Sequence, residues 1–273
     1  MASPGARSGA RGARLWTKTM EVDPVRHLKL SLIEDPTEDV DGDAWCAWCL
    51  WPAAKVLMAY LATLEDQELK EKSSPVAGEP EFGSTPGVPL PTAERSVLEL
   101  GAGCGAVGMY AALRGAMPVV LTDVESALPL LRRNLAQNCL GSRCCTCPLF
   151  WGTPLHRLAE PLQQNTPFDW ALAADCSYDF VSPEIPSSID ALLCSAQLAK
   201  RALICVSRRR NEVEAFLASV ERAGIQAEVV HSQRVDEAKE GAQVLVPKLL
   251  EPVCLVRAWM GQAWELELRV VQE

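Results

Sequence analysis

Residues 97–108 read VLELGAGCGAVG, and the surroundings of this stretch decide how the chain folds. Val97–Leu100 is a short apolar run of strand length, broken at once by Gly101, Gly103 and Gly105. Glycines there let the backbone turn sharply and let a ligand approach without meeting a Cβ. Apolar residues resume through 106–114, so the stretch predicts a strand, a tight loop and a helix. Gly103, Gly105 and Gly108 also satisfy the G-x-G-x-x-G spacing. Asp123 follows a second apolar run, Val119–Thr122, where an acid for ribose hydroxyls is expected.

The alternation continues outward. Ser126 is placed to cap a helix burying Leu128, Leu131 and Leu135, with Pro129 tolerated in its first turn. Strands are expected at Cys147–Trp151, Trp170–Ala174, Ala202–Ser207 and 225–231. Ile189, Leu192, Leu193 and Ala196 mark one intervening helix, and Val213, Phe216, Leu217 and Val220 another. Val253–Trp259 and Trp264–Val271 read as two strands of a terminal hairpin. Upstream, residues 26–33 alternate as a short strand, and Pro52 opens a helix carrying Ala53, Val56, Leu57, Tyr60, Leu61 and Leu64 on one face. Strands alternating with helices imply a Rossmann-like α/β fold, with a mostly parallel sheet and helices on both faces. The terminal hairpin adds antiparallel edge strands.

Composition bounds the rest. Arg7, Arg11, Arg14 and Lys18 occur in the first twenty residues without an acid, so residues 1–25 read as a disordered basic tail. A transit peptide has a similar composition, whereas the apolar stretch of a secretory signal is missing. Residues 66–94 turn to Lys, Glu and Ser, then to Pro and Gly, and read as an insertion within a single domain spanning 26–273. A net charge of −9 does not suit a body that grips phosphate backbones, so nucleic acid is not an expected partner. No apolar run approaches the ~20 residues that span a bilayer. Eleven cysteines without a secretory signal point to reduced thiols and a cytoplasmic, monomeric protein. Cys46 and Cys49 could form a zinc site only by meeting Cys144, Cys145 and Cys147, because the histidines are few: His27, His156 and His231. These thiols are expected instead as small buried apolar groups, with no metal.

Two ligands fit the glycine loop. A dinucleotide brings a pyrophosphate, which wants a helix amino end without a competing carboxylate. S-adenosylmethionine brings no phosphate, but an ammonium, a carboxylate and a sulfonium cation. Glu99 sets an anion beside the loop, which suits the second ligand better. On this reading Glu99 and Gly105 belong to the cofactor site along with the rest of the loop. Trp151, at a strand end, either stacks on adenine or packs in the core. Asp175 and Tyr178 stand at the carboxyl edge of the sheet, where open α/β folds bind ligands, or else cap and pack locally. Arg208, Arg209 and Arg210 read as a solvated cluster.

Four segments now stand in order: LWPAA at 50–54, ELGAGCG at 99–105, FWG at 150–152 and ADCSY at 174–178. With them the chain resembles, over roughly residues 45–235, the seven-β-strand methyltransferases of methyltransferase family 16, whose characterised members mostly modify lysines of other proteins. The resemblance implies a seven-stranded sheet and S-adenosylmethionine as cofactor. It also implies that Trp51, Gly101, Ala102, Gly103, Asp123, Trp151 and Ala174 line the cofactor. Asp175 and Tyr178 match the family's D-x-x-Y motif. The insertion at 66–94, Pro52 and the C-terminal end depart from the pattern.

Methyl transfer is an in-line displacement that depends mostly on positioning. Asp175 is therefore expected to orient a lysine amine of a protein substrate, and Tyr178 to shape the channel around it. The competing readings are a small-molecule methyltransferase, an NAD-linked oxidoreductase and a cofactor-binding module without activity.

Overall fold

The computed structural model describes residues 16–23, 28–34, 47–73, 94–176, 188–207, 212–223, 228–234, 252–260 and 264–267. In chain order the strands are β1 (Trp16–Asp23), β2 (Leu28–Glu34), β3 (Val97–Leu100), β4 (Val119–Asp123), β5 (Cys144–Pro148), β6 (Trp170–Ala174), β7 (Arg201–Ser207), β8 (Glu228–Arg234), β9 (Pro252–Met260) and β10 (Trp264–Glu267). The helices are α1 (Pro52–Ser73), α2 (Ala106–Leu113), α3 (Leu128–Gln137), α4 (Glu160–Asn165), α5 (Ser188–Ala196) and α6 (Glu212–Arg222).

All four residues of β3 are buried, and a strand with no exposed side chain needs neighbours on both edges and cover on both faces. It pairs in parallel with β4 on one side and β6 on the other, and β5 and β7 extend the parallel sheet outward. β9 runs antiparallel to β7, and β8 and β10 both pair with β9. Among the described residues the main sheet therefore holds eight strands in the order β10-β9-β7-β6-β3-β4-β5, with β8 beside β9, where seven were expected. Side chains alternate between the faces. Val97 belongs to one buried cluster with residues of α1, α2 and α3, while Leu98 and Leu100 belong to another with residues of α5 and α6. Helices thus cover both faces of a Rossmann-like sheet. No helix among the described residues is long and apolar enough to cross a membrane.

Local expectations shift in several places. β1 lies inside the segment read as a disordered tail, and it pairs antiparallel with β2 in a separate two-stranded sheet. α1 continues to Ser73, past the expected end of the helix at residue 65. Its last turns are rich in Glu, Gln, Leu and Lys, which favour helix without an apolar face. Loss of apolar periodicity there does not mark the end of the helix. Ser126 does not cap α3; it sits in a 3-10 turn, Glu125–Ala127, and Ala127 precedes the helix. β5 begins at Cys144 and ends at Pro148, which frees Phe150 and Trp151 to form a loop over the sheet end. The short α4 had no apolar period to announce it.

At the amino ends of the strands, Asp169 ties three elements together. Its Oδ2 accepts from the Ser96 N–H and hydroxyl, each at 3.1 Å, and its Oδ1 accepts from Lys200 Nζ at 2.9 Å. Burial works to raise the Asp169 carboxyl, but these donors outweigh it and the net shift is downward. A depressed carboxyl adds stability above the unfolded value of about 3.9, lost as pH falls through the folded value. Asp169→Ala is expected to cost about 1–3 kcal/mol in denaturant melts at pH 7. It should also flatten the acid side of the stability profile.

Candidate functional site

The chain lays β4 and β5 on one side of β3 and β6 and β7 on the other. At such a switch point the strands' carboxyl ends leave a crevice for a ligand. An open cleft occupies it. Its lining includes Trp51, Glu99, Gly101, Ala102, Gly103, Asp123, Trp151, Ala174 and Asp175. These residues come from five separate stretches of the sequence.

The glycine loop is stapled to the end of β4. Ala102 N–H donates to Thr122 O at 2.8 Å, Gly103 N–H to Asp123 Oδ2 at 2.7 Å, and Gly105 N–H closes back on Ala102 O at 2.7 Å. Gly101 has a φ of +61°, and a Cβ there would come within 2.7 Å of Cys176 Sγ and 3.0 Å of the Trp151 ring. Only glycine meets both demands. Gly105, expected in the cofactor site, is not among the lining residues. It has a φ of +82° at the entry to α2 and packs against Leu131, Leu121 and Met109.

Glu99 lies under the loop, 3 % exposed. Its Oε2 accepts from Gly108 N–H at 2.9 Å, in the first turn of α2. Burial pushes its carboxyl up to about 8, with Asp123 nearby adding to the rise and the helix N–H groups working against it. The acid therefore caps the helix from below while its edge reaches the cleft. Asp123 is half-buried at the end of β4 and accepts from Gly103 and, at 2.8 Å, from Val124 N–H. Burial raises its carboxyl above the ordinary value, against these two donors.

Asp175 ends β6 in the left-handed region, with a φ of +59°, and is 8 % exposed. Its N–H donates to Cys205 O at 2.9 Å, which fixes the turn against β7. Asp tolerates this conformation better than most side chains, though it still costs about 1 kcal/mol or more. Tyr178 and Arg208–Arg210 lie outside the described residues. The Trp151 loop is anchored by Gly152 N–H, which donates to Ser195 Oγ at 2.9 Å.

Sequence reasoning missed part of the lining: Ala47, Cys49, Leu50, Phe150, Cys176 and Ser188. Leu50, Phe150 and Cys176 fall within motifs already noted, so adjacency could have found them. Ser188 and Ala47 carry no local signal. Among the described residues no group of three or more His, Cys, Asp or Glu is arranged to hold a metal ion.

Glu99 predicts an unusual pH dependence. Its folded value of about 8 exceeds the unfolded 4.5, so the folded state binds the proton more tightly in between. This group's contribution is full below about 4.5 and is lost as pH rises toward 8. Glu99→Gln keeps an acceptor for Gly108. It is expected to flatten the fall in stability over that window, measured as melting temperature against pH.

A family model described as lysine methyltransferase matches residues 37–223. Protein-lysine N-methyltransferase EFM6 of Saccharomyces cerevisiae is 30 % identical over 146 residues, covering 50 % of this chain and 54 % of that protein. EEF1A lysine methyltransferase 3 of Mus musculus is 37 % identical over 93 residues, or 34 % of this chain and 36 % of that protein. The chain thus matches about half, or less, of the length of these relatives. The crystal structure of SMU.776 complexed with SAH has the same fold, with a TM-score of 0.50 and 11 % identity over 84 % of this chain and 53 % of that one. With more than half of its length matched by the family model, the chain belongs to the lysine methyltransferase family.

Proposed function

We propose that the protein is an S-adenosylmethionine-dependent methyltransferase whose acceptor is the side-chain amine of a lysine in another protein. One observation carries this reading. The amino end of α2, which a dinucleotide's pyrophosphate would need, is already occupied by the Glu99 carboxyl group. The cleft is lined by the carboxyl groups of Glu99, Asp123 and Asp175 and by no Lys, Arg or His among the described residues. Asp123 and Asp175 make this lining acidic, which suits a cationic donor and a cationic acceptor and not a pyrophosphate. Glu99, raised to about 8, acts by occupying the helix N–H and not by its charge. The names of the relatives, EFM6 and EEF1A lysine methyltransferase 3, support the acceptor class.

The residues present fit the donor. Each Asp123 oxygen keeps an acceptor site for ribose hydroxyls after its bond to a backbone N–H. Trp51, Trp151, Phe150 and Leu149 give apolar and aromatic walls for adenine. The loop backbone at Gly101–Gly103 allows close approach. S-adenosylmethionine supplies an electrophilic methyl group on a sulfonium centre.

Asp175 accepts a hydrogen bond from the entering lysine ammonium. That amine has a reference value of ~10.4, so its proton must pass to water before attack. Asp175 then holds the neutral amine by one N–H, with its lone pair turned toward the cleft. No side chain has to act as an acid, because the departing thioether is neutral. We assign Tyr178 to shaping the acceptor channel. On the same reading the protein works as a monomer in the cytoplasm, where its free thiols stay reduced.

Calorimetry should show S-adenosylhomocysteine binding more tightly than NAD; the reverse order would remove the cofactor reading. Asp123→Ala is expected to weaken that binding by about 1–3 kcal/mol. Asp175→Asn can keep the left-handed turn, so it should retain most cofactor binding. Methyl transfer should fall tenfold or more, equivalent to roughly 1.4 kcal/mol and upward in the barrier. Mass spectrometry of a lysate labelled with methyl donor is expected to place the label on lysine. Label confined to RNA or metabolites would exclude a protein acceptor.

A further inference from the structure

The β1–β2 hairpin belongs to neither layer of the main sheet, yet its edge is not left open to water. Asn134 on α3 and Asn138, which caps its carboxyl end, stand four residues apart and face the edge of β2 opposite β1. Asn138 Oδ1 accepts from Ser31 N–H at 2.9 Å, and its Nδ2 donates to Ser31 O at 2.8 Å. Asn134 Oδ1 accepts from Ile33 N–H at 2.6 Å, and its Nδ2 donates to Ile33 O at 3.2 Å. Four helical residues rise ~6 Å and two strand residues ~6.7 Å, so the two carboxamides match the repeat of a strand edge. They act as a strand made of side chains.

Asn134 does one thing more. Its second N–H donates to Cys104 O at 2.9 Å, inside the glycine loop. The side chain is fully buried, and both N–H groups and the oxygen are committed. Asn138 makes its other contacts with Asn134 O and Met109 Sδ, and among the described residues none of its side-chain bonds reaches the loop. The hairpin also reaches a second lining segment of the cleft. Glu34 Oε1, at the end of β2, accepts from Leu50 N–H at 2.8 Å, next to Trp51. One docked hairpin is therefore bonded to two lining segments, the glycine loop through Asn134 and the stretch before α1 through Glu34.

We propose that Asn134 is a positioning residue of the cofactor site: it reads the docked β1–β2 hairpin and sets the Cys104 peptide, coupling hairpin docking to cofactor affinity. The inference rests on the methyl-donor reading of the cleft. A buried asparagine that served stability alone would change the melting temperature and leave affinity unaltered. Coupling through the loop changes affinity as well, and it is reciprocal: ligand in the cleft must tighten the hairpin.

The test compares Asn134→Leu with Asn138→Leu in the full chain. Both remove a clamp on β2, but only the first removes the bond to the loop. Both are expected to lower the melting temperature. Asn134→Leu should weaken S-adenosylhomocysteine binding tenfold or more in calorimetry, and Asn138→Leu less than threefold. Equal affinity changes in the two folded variants would overturn the coupling. Should Asn134→Leu fail to fold, the parent protein decides by hydrogen exchange. S-adenosylhomocysteine must then slow the Ser31 and Ile33 amides, and unchanged rates would overturn the proposal. A parent that binds no S-adenosylhomocysteine would sink the cofactor reading instead. Ligand-free exchange at the Gly105 amide then settles the coupling: faster in Asn134→Leu than in Asn138→Leu supports it, and equal rates overturn it.

Discussion

A carboxyl group buried beneath the glycine loop must find a donor, and Glu99 finds it in the backbone of α2. The bond to Gly108 N–H fixes where the helix starts relative to β3, and so fixes the loop that joins them. Glycine suits position 108, because a Cβ there would meet Leu121 Cδ2 and lie 2.6 Å from Glu99 Oε2. The strand is held in turn from its neighbour, since Thr122 Oγ1 donates to Glu99 O at 2.6 Å. Burying an acid is costly unless it is bonded or protonated; the bond to Gly108 N–H meets part of that cost, and burial pushes the carboxyl up to about 8. The same arrangement removes the amino end of α2 from the set of anion sites. Helix geometry and the proposed ligand choice thus rest on one interaction.

The cleft itself is a meeting of chain ends. β3 and β4 contribute the loop and Asp123, β6 contributes Ala174 and Asp175, and the segment after β5 contributes Phe150 and Trp151. Each wall is set by backbone bonds from its own strand end: Ala102 to Thr122, Leu149 to Asp123, Asp175 to Cys205. Cys176 completes the seam, its thiol 3.3 Å from Leu100 O and close under Gly101. A packed seam of this kind leaves the cleft open only toward solvent, with acids placed where cations would enter. The hairpin adds a layer on the far side of the loop and makes the N-terminal region part of the same bonded structure.

Much was readable before any coordinates. Strand, glycines, helix and acid occur in contiguous order, so local geometry alone placed β3, the loop, α2 and Asp123. Apolar period located α3, α5 and α6 because each buries one face. The reading failed where period carries no signal. β1 alternates only weakly among basic and polar residues, and the end of α1 has propensity without an apolar face. Asn134 and Asn138 looked like ordinary helix residues beside Leu131 and Leu135, since nothing in the sequence says that a strand edge will lie against them.

Local order along the chain therefore determined the central strand, the tight loop and the lining residues that the loop and the strand ends supply. Those features depend on backbone freedom and on the spacing of apolar groups, both written in consecutive residues. Only the tertiary structure decided which way Glu99 faces, where Trp151 arrives and what holds the β1–β2 hairpin. Burial and the choice of hydrogen-bond partner depend on neighbours in space, and Asn134 meets Ile33 across 101 positions of sequence.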